Sequence, residues 1–342
     1  MRSAFPRILA GCWFLVSGFW FVPLAPAADP LTRFTFTEPH MGTRFSVIVY
    51  AVDEATASKA AKAAFKRIAE LDGSMSDYRP ASELMQLCKK AGGEPVKVSD
   101  DLFYVLLKAQ QVAERSDGAF DVTVGPVVRL WRVSRKTRQL PDPEKLKAAL
   151  ALVGYKNVKI DTEAHTVQLL KSGMQLDLGG IAKGYAADEA LKTLETHGIK
   201  SALVAGGGDI AVSDAPPDTP GWTVGIAPLF DPESTPKQSL LLKNAAVSTS
   251  GDTEQFIEID GKRYSHIIDP KTGLGLVGRQ SVTVTARRGI DSDSLTKVVS
   301  VWGPKRGLEF IEKTPGTAAF VVRKKDDGEE TFQTKDFAKL LK

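Results

Sequence analysis

The chain has 342 residues, of which 43% are hydrophobic and 25% charged, with a formal net charge of +4. That composition is ordinary for a globular chain, so disorder is not the default, and the length suffices for one large or two modest domains. A leader ending at Ala27 carries away Arg2 and Arg7, which lowers the charge from +4 to +2, a near-neutral balance that argues against a nucleic-acid binder.

Residues 1–27 read as a secretory leader. Arg2 and Arg7 precede an apolar run from Ile8 to Val22, and Ala25-Pro26-Ala27 offers small residues at the positions a signal peptidase reads. The run is about fifteen residues, short of the ~20 needed to span a bilayer core. The expectation is an exported, periplasmic protein whose functional domain is residues 28–342. Anchoring to the inner membrane stays open through an uncleaved leader, or through a lipidated Cys12 in Leu9-Ala10-Gly11-Cys12, although the apolar run lies mostly after that cysteine. Only Cys88 then remains, so no intramolecular disulfide forms and stability comes from the core.

In the mature chain, Thr37 to Thr43 reads TEPHMGT, and Arg44 to Val52 follows as a strand. Glu54 to Leu71 carries a helical stripe at Ala61, Ala64, Phe65, Ile68 and Ala69. Ser74 to Glu83 is a polar loop in which Tyr78 is either a surface ring or a cover for a planar ligand. Ser99 caps a helix from Asp100 to Arg115, ended by Ser116-Asp117-Gly118. The segment GAFDVTVGP, Gly118 to Pro126, holds Asp121 in its middle, as a structural cap or as the partner of a ligand's polar edge. Asp142-Pro143 opens a helix to Val153, and Val158–Ile160 with Val167–Leu169 forms a hairpin.

Met174 to Leu178 reads as a short apolar strand that runs into Gly179-Gly180, then Lys183, then a helix from Tyr185 to Leu194. Strand, glycine turn and helix start make a phosphate-reading geometry. The glycines permit close approach, the helix start offers free N–H groups, Lys183 adds a cation and Asp177 an acceptor. Ala202–Val204 is a buried strand meeting Gly206-Gly207-Gly208-Asp209. Because Ile210-Ala211-Val212 alternates like a strand, the glycines make a turn and not a dinucleotide fingerprint. Trp222–Ile226 continues the sheet. Val247-Ser248-Thr249-Ser250-Gly251-Asp252 and Tyr264 to Gly273 follow, then a strand from Ser281 to Ala286 and a helix opening at Asp291 to Lys297. Ala318–Arg323 and Glu330–Gln333 form a hairpin that turns at Asp327-Gly328. Without a strict βαβ rhythm, the chain is α+β, with mixed sheets and packed helices.

These segments, in this order, resemble the ApbE family of FAD:protein FMN transferases. The resemblance rests on Met41-Gly42-Thr43, SDYRPASE (Ser76–Glu83), GAFDVTVGP with Trp131, DLGGIAKGYAAD (Asp177–Asp188), Gly207-Gly208-Asp209, STSGD (Ser248–Asp252), HIIDPKTG (His266–Gly273) and SDSL (Ser292–Leu295), nearly the whole mature chain. It implies an ApbE-like fold that binds FAD and Mg²⁺ and passes FMN to a Thr or Ser hydroxyl of a target protein, releasing AMP. The implied target is a subunit of a membrane redox complex. By motif, Met41, Tyr78, Ala119, Phe120, Asp121, Asp177, Lys183 and Ile267 line the FAD site. Gly180, through its carbonyl, and Asp293 hold the metal with their helix neighbours. Among the histidines, His266 within HIIDPKTG is the choice for the base that takes the hydroxyl proton.

The chain departs from the family pattern in places. Four residues after Asp293, where the family places a ligating threonine, stands Lys297, with Thr296 one residue earlier. Either Thr296 or water completes the shell, or Lys297 contacts phosphate, or metal binding is weakened. Cys88, Ala205 and Arg129 stand where asparagines are expected. Two alternatives therefore accompany the transferase: an Mg²⁺-dependent FAD pyrophosphatase giving FMN and AMP, and a periplasmic FAD-binding protein with impaired turnover.

Overall fold

Apolar alternation at period two, repeated on successive extended segments, builds a sheet whose two faces are both covered. The computed structural model describes Met1 and residues 30–230, 235–236, 238–251, 256–326 and 328–342. The expected leader, Cys12, Asp252 and Asp327 lie outside the described residues.

The first half contains β1 (Thr32–His40), β2 (Thr43–Ala51), α1 (Glu54–Met75), α2 (Glu83–Lys89), β3 (Val96–Lys97), α3 (Asp100–Arg115), α4 (Gly125–Thr137), α5 (Pro143–Leu150), β4 (Val158–Asp161) and β5 (Thr166–Leu169). Next come α6 (Ala182–Thr196), β6 (Ala202–Gly206), β7 (Asp209–Val212), β8 (Trp222–Ile226), β9 (Gln238–Leu242) and β10 (Ala245–Gly251). The chain continues with β11 (Phe256–Ile259), β12 (Lys262–Ile268), β13 (Gly275–Val277), β14 (Gln280–Ala286), α7 (Gly289–Glu312), β15 (Ala318–Lys325) and β16 (Gly328–Gln333).

Among the described residues, eight strands make one antiparallel sheet in the order β1-β2-β6-β7-β10-β14-β15-β16. Phe45, Val47 and Val49 of β2 and Ala202 and Val204 of β6 join the core shared with α1 and α6. Between them Leu203 faces the other layer, where Trp222, Val224, Leu240, Leu242 and Phe337 pack. The antiparallel order confirms the α+β class. Arg67 of α1 cross-links the helical layer, donating to Asp101 of α3 at 2.8 Å and Glu189 of α6 at 2.7 Å, while the Tyr185 hydroxyl donates to Asp101 at 2.6 Å.

Several sequence-based expectations shift. Met174–Leu178 is not a strand: its backbone is committed elsewhere, with Asp177 N–H donating to the Val122 carbonyl at 2.8 Å and Leu176 N–H to Cys88 Sγ at 3.3 Å. Trp222–Ile226 does not continue the main sheet but pairs with β9 in a separate two-stranded one. β1, α2 and α4 go unnoticed in the sequence. α4 starts at Gly125 with Pro126 in its first turn, where proline opens a helix as readily as it ends one. α5 stops at Leu150, short of Val153. Among the described residues, no helix is long and apolar enough to cross a membrane.

Candidate active site

Two tight turns and the first turns of two helices meet at one end of the sheet. Met41-Gly42 joins β1 to β2, with His40 opposite Thr43. Both turn residues take positive φ, 49° and 71°, as a two-residue hairpin loop demands. Gly207-Gly208 joins β6 to β7, with Gly206 opposite Asp209. A Cβ on Gly207 would lie 3.5 Å from Thr43 Oγ1 and 3.9 Å from Lys183 Cε, so the two turns and the α6 lysine are neighbours. α6 and α7 touch backbone to backbone: a Cβ on Gly184 would fall 2.1 Å from the Gly289 carbonyl oxygen. This contact brings Lys183, one residue before Gly184, beside Asp293 of α7.

The result is a buried cluster of two ammoniums and two carboxylates. Lys183 Nζ lies 3.0 Å from Asp209 Oδ2 and 3.8 Å from Asp293 Oδ2, and donates to the Gly179 carbonyl at 3.0 Å. Asp293 is fully buried. Its Oδ2 accepts from Gly184 N–H at 3.2 Å, and its Oδ1 is held by Lys297 Nζ from one helical turn onward. Burial works to raise the Asp293 carboxyl, but the Lys183 and Lys297 ammoniums outweigh it and hold the group below the usual carboxylate range. Burial raises Asp209, aided by the neighbouring Asp293 charge. Burial also acts to neutralise Lys183, yet the two carboxylates more than compensate and keep it protonated. Behind the carboxylates, Ser248 hydrogen-bonds Asp209 and shares a 2.8 Å bond with Ser292.

Phe120 and Gly180 belong to this place, since a Cβ on Gly180 would lie 3.4 Å from the Phe120 ring and 3.2 Å from Lys297 Cε. Ala119 is buried beside Phe120 on the same turn. Asp177 sits at the neighbouring turn, accepting from Gly179 N–H at 2.8 Å and from Arg132 Nη2 at 3.1 Å. Burial, then the Asp77 charge, push its carboxyl upward. Arg132 also pairs with Asp77 at 2.6 Å and lies 4.0 Å from the centre of the Tyr78 ring, tying that loop to the Asp177 turn. Tyr78 is 72% exposed, a ring presented to solvent over a guanidinium. Asp121 acts as a cap: Oδ1 takes Thr123 N–H at 2.8 Å and its hydroxyl at 2.7 Å, and Oδ2 takes Tyr155 N–H at 2.7 Å. Of the two roles open in the sequence, its carboxylate fills the structural one.

Met41 lines a cleft of about 670 Å³ with the rest of Thr37–Arg44, Asp72 and Arg79, and Thr43 links that cleft to the charge cluster. Such a volume suits a ligand of cofactor size. His266 and Ile267 lie on β12 of the three-stranded sheet β11-β12-β13, a strand in contact with α7. Ile267 is buried, and His266 lines a narrow cavity with Trp131, Arg135, Phe256 and Tyr264. Trp131 Nε1 donates to the Gly273 carbonyl at 2.7 Å, fixing the HIIDPKTG turn to α4.

Two of the three expected metal ligands, Asp293 and Thr296, are engaged by groups of the protein itself. Thr296 is fully buried, and its hydroxyl donates to the Asp293 carbonyl at 2.7 Å and lies 2.9 Å from Ser250 Oγ, so it is engaged inside the core. Asp293 already has ammonium or amide donors on both oxygens.

Comparison with known proteins bears on this geometry. The ApbE family model matches residues 41–321. The chain belongs to the ApbE family. It is similar to an FAD:protein FMN transferase of Treponema pallidum, 36% identical over 82% of each chain. In structure it is similar to the flavin transferase ApbE of Vibrio cholerae, with TM-score 0.81, 30% identity, and 91% of this chain and 100% of that one covered. The apo form of the Pseudomonas stutzeri flavinyl transferase ApbE is also similar, with TM-score 0.80 and 30% identity over 92% of this chain and 98% of that one.

Within this family member, sequence reasoning missed Asp209 and Arg132 as site residues. Asp209 closes the glycine run, and a carboxylate at a hairpin turn was the available signal. Arg132 had none, because the helix that carries it was not recognised. Lys297 was visible only as a departure.

Proposed function

We propose that this protein transfers FMN from FAD to a serine or threonine hydroxyl of another protein and releases AMP. The observation that carries the reading is the buried Lys183–Asp209–Asp293–Lys297 cluster, set beside two glycine turns at the start of α6, in a chain of the ApbE family. Ammonium groups and helix N–H groups offset the charge of a pyrophosphate. The acceptor oxygen forms a bond to the FMN-side phosphorus. The bond from that phosphorus to the bridging oxygen breaks, and AMP leaves with that oxygen and its electron pair. The hydroxyl proton goes to a base, for which His266 is the candidate. The chain's own part is to place the phosphates against Lys183 and the flavin along the Met41 side, where the open cleft lies, with the exposed Tyr78 ring on the neighbouring loop. Asp293, the carboxylate the resemblance assigns to Mg²⁺, is held by Lys297 and by the Gly184 N–H.

The acceptor belongs outside the inner membrane, as a subunit of a membrane redox complex. The arginine-flanked apolar run and Ala25-Pro26-Ala27 of the leader support that location. The test mixes the purified protein with FAD and a candidate acceptor. Flavin fluorescence on the acceptor band, with one AMP per flavin, is the expected result. FMN and AMP without a labelled acceptor would make the protein a pyrophosphatase instead, and bound FAD without AMP would make it a binding protein.

A further inference from the structure

Lys297 occupies a position no ordinary surface lysine would. It stands four residues after Asp293 on α7, so both side chains leave the same helical face. Its ammonium is in contact with Asp293 Oδ1, and its stem crosses the Gly180 turn, 3.2 Å at Cε from where a Cβ would be. The side chain is only 17% exposed, against a carboxylate with no exposure. Lys183 approaches the same carboxylate from α6. Two lysines and the two aspartates Asp209 and Asp293 share one place, whereas Thr296, the hydroxyl next to Lys297, is engaged with Ser250. The protein thus supplies its own positive charge at the carboxylate where a divalent cation would otherwise be needed to hold phosphates.

We propose that Lys297 takes the place of a divalent cation in this protein: its ammonium, oriented by Asp293 over Gly180, binds the pyrophosphate of FAD, and the site works without bound Mg²⁺. The inference rests on the flavin-transferase reading for the identity of the ligand. A lysine is a compact, mobile point charge with three donors, so it bonds Asp293 and a phosphate oxygen at once. A metal at the same spot would have to strip Asp293 from two ammoniums.

The experiment measures FAD affinity by flavin fluorescence for the parent protein and for Lys297→Thr, each in EDTA and in excess Mg²⁺, with Mn²⁺ binding followed by its own magnetic resonance signal. The parent is expected to bind FAD equally in both buffers and to take up no Mn²⁺ at the site. Loss of a charge-assisted phosphate contact should weaken Lys297→Thr in EDTA by about tenfold or more, and Mg²⁺ should restore it. Parent affinity that rises about tenfold with Mg²⁺, or stoichiometric Mn²⁺ binding by the parent with FAD, overturns the proposal, and this arm does not depend on the variant folding. Metal-independent FAD binding with no labelled acceptor would sink the transferase reading and leave this one standing. Metal-dependent transfer would do the reverse, and absence of FAD affinity in either buffer would end both.

Discussion

Replacing Gly184 by alanine tests whether the contact between α6 and α7 assembles the site. The new Cβ would lie 2.1 Å from the Gly289 carbonyl oxygen, 2.4 Å from its carbon and 2.9 Å from Asp293 Cβ, whereas ordinary contact begins at 3.4 Å. Backbone blocks the methyl group, so no rotamer relieves it and the helices must part by more than an ångström. Overpacking of this kind costs ~3 kcal/mol or more, against ~1 kcal/mol gained from replacing glycine inside a helix, a net loss of at least ~2 kcal/mol. The same change at Gly73 in α1, where nothing lies within 4 Å, should stabilise by ~0.5–1 kcal/mol. Urea unfolding followed by circular dichroism measures both. For Gly184→Ala, flavin transfer should also fall under conditions where the protein is folded, because Asp293 is pushed off the Gly184 N–H and away from Lys183. Equal, positive changes in stability for the two variants would refute the claim that this close approach holds the helices together.

Asp188 supplies a pH dependence. It caps α7, accepting from Gly289 N–H at 2.7 Å and Ile290 N–H at 3.1 Å, yet burial outweighs these bonds and raises its carboxyl from 3.8 to about 6. A raised carboxyl binds its proton more tightly in the folded state, so its contribution to stability is greatest below pH 3.8 and declines as pH rises toward 6. Against Asp188→Asn, which does not titrate, the parent should lose about 3 kcal/mol across that window, and a flat difference in urea unfolding would contradict it. His266→Ala should slow flavin transfer by roughly 10²–10⁴-fold with FAD affinity unchanged, read from the time course of in-gel fluorescence. Transfer at the parental rate would remove His266 from the chemistry.

Much of the chain was legible because its signals are local. Ser99 and Asp142 each accept a backbone N–H three residues ahead, at 3.4 and 2.9 Å, as their cap positions before α3 and α5 foretold. The hairpins β4-β5 and β15-β16 and the glycine turn before β7 follow from alternation and turn chemistry over a few residues. Even the Lys297–Asp293 pair was within reach of one-dimensional reading, since residues four apart on a helix are neighbours. Failures came where a local pattern had two meanings. Met174–Leu178 is extended but unpaired, because its N–H groups go to Val122 and Cys88 and not to a neighbouring strand.

By itself, then, the amino-acid order determined which segments coil or extend, the turns that join them and the motifs that mark the family. Tertiary structure alone decided that Lys183, Asp209 and Asp293 share one buried place, that Asp121 spends its carboxylate on backbone amides, and that His266 stands on a separate small sheet. Caps, turns and alternation act over a handful of residues. The charge cluster depends on two glycine backbones, Gly184 and Gly289, meeting across more than a hundred residues of chain, and on an antiparallel strand order that no short stretch encodes.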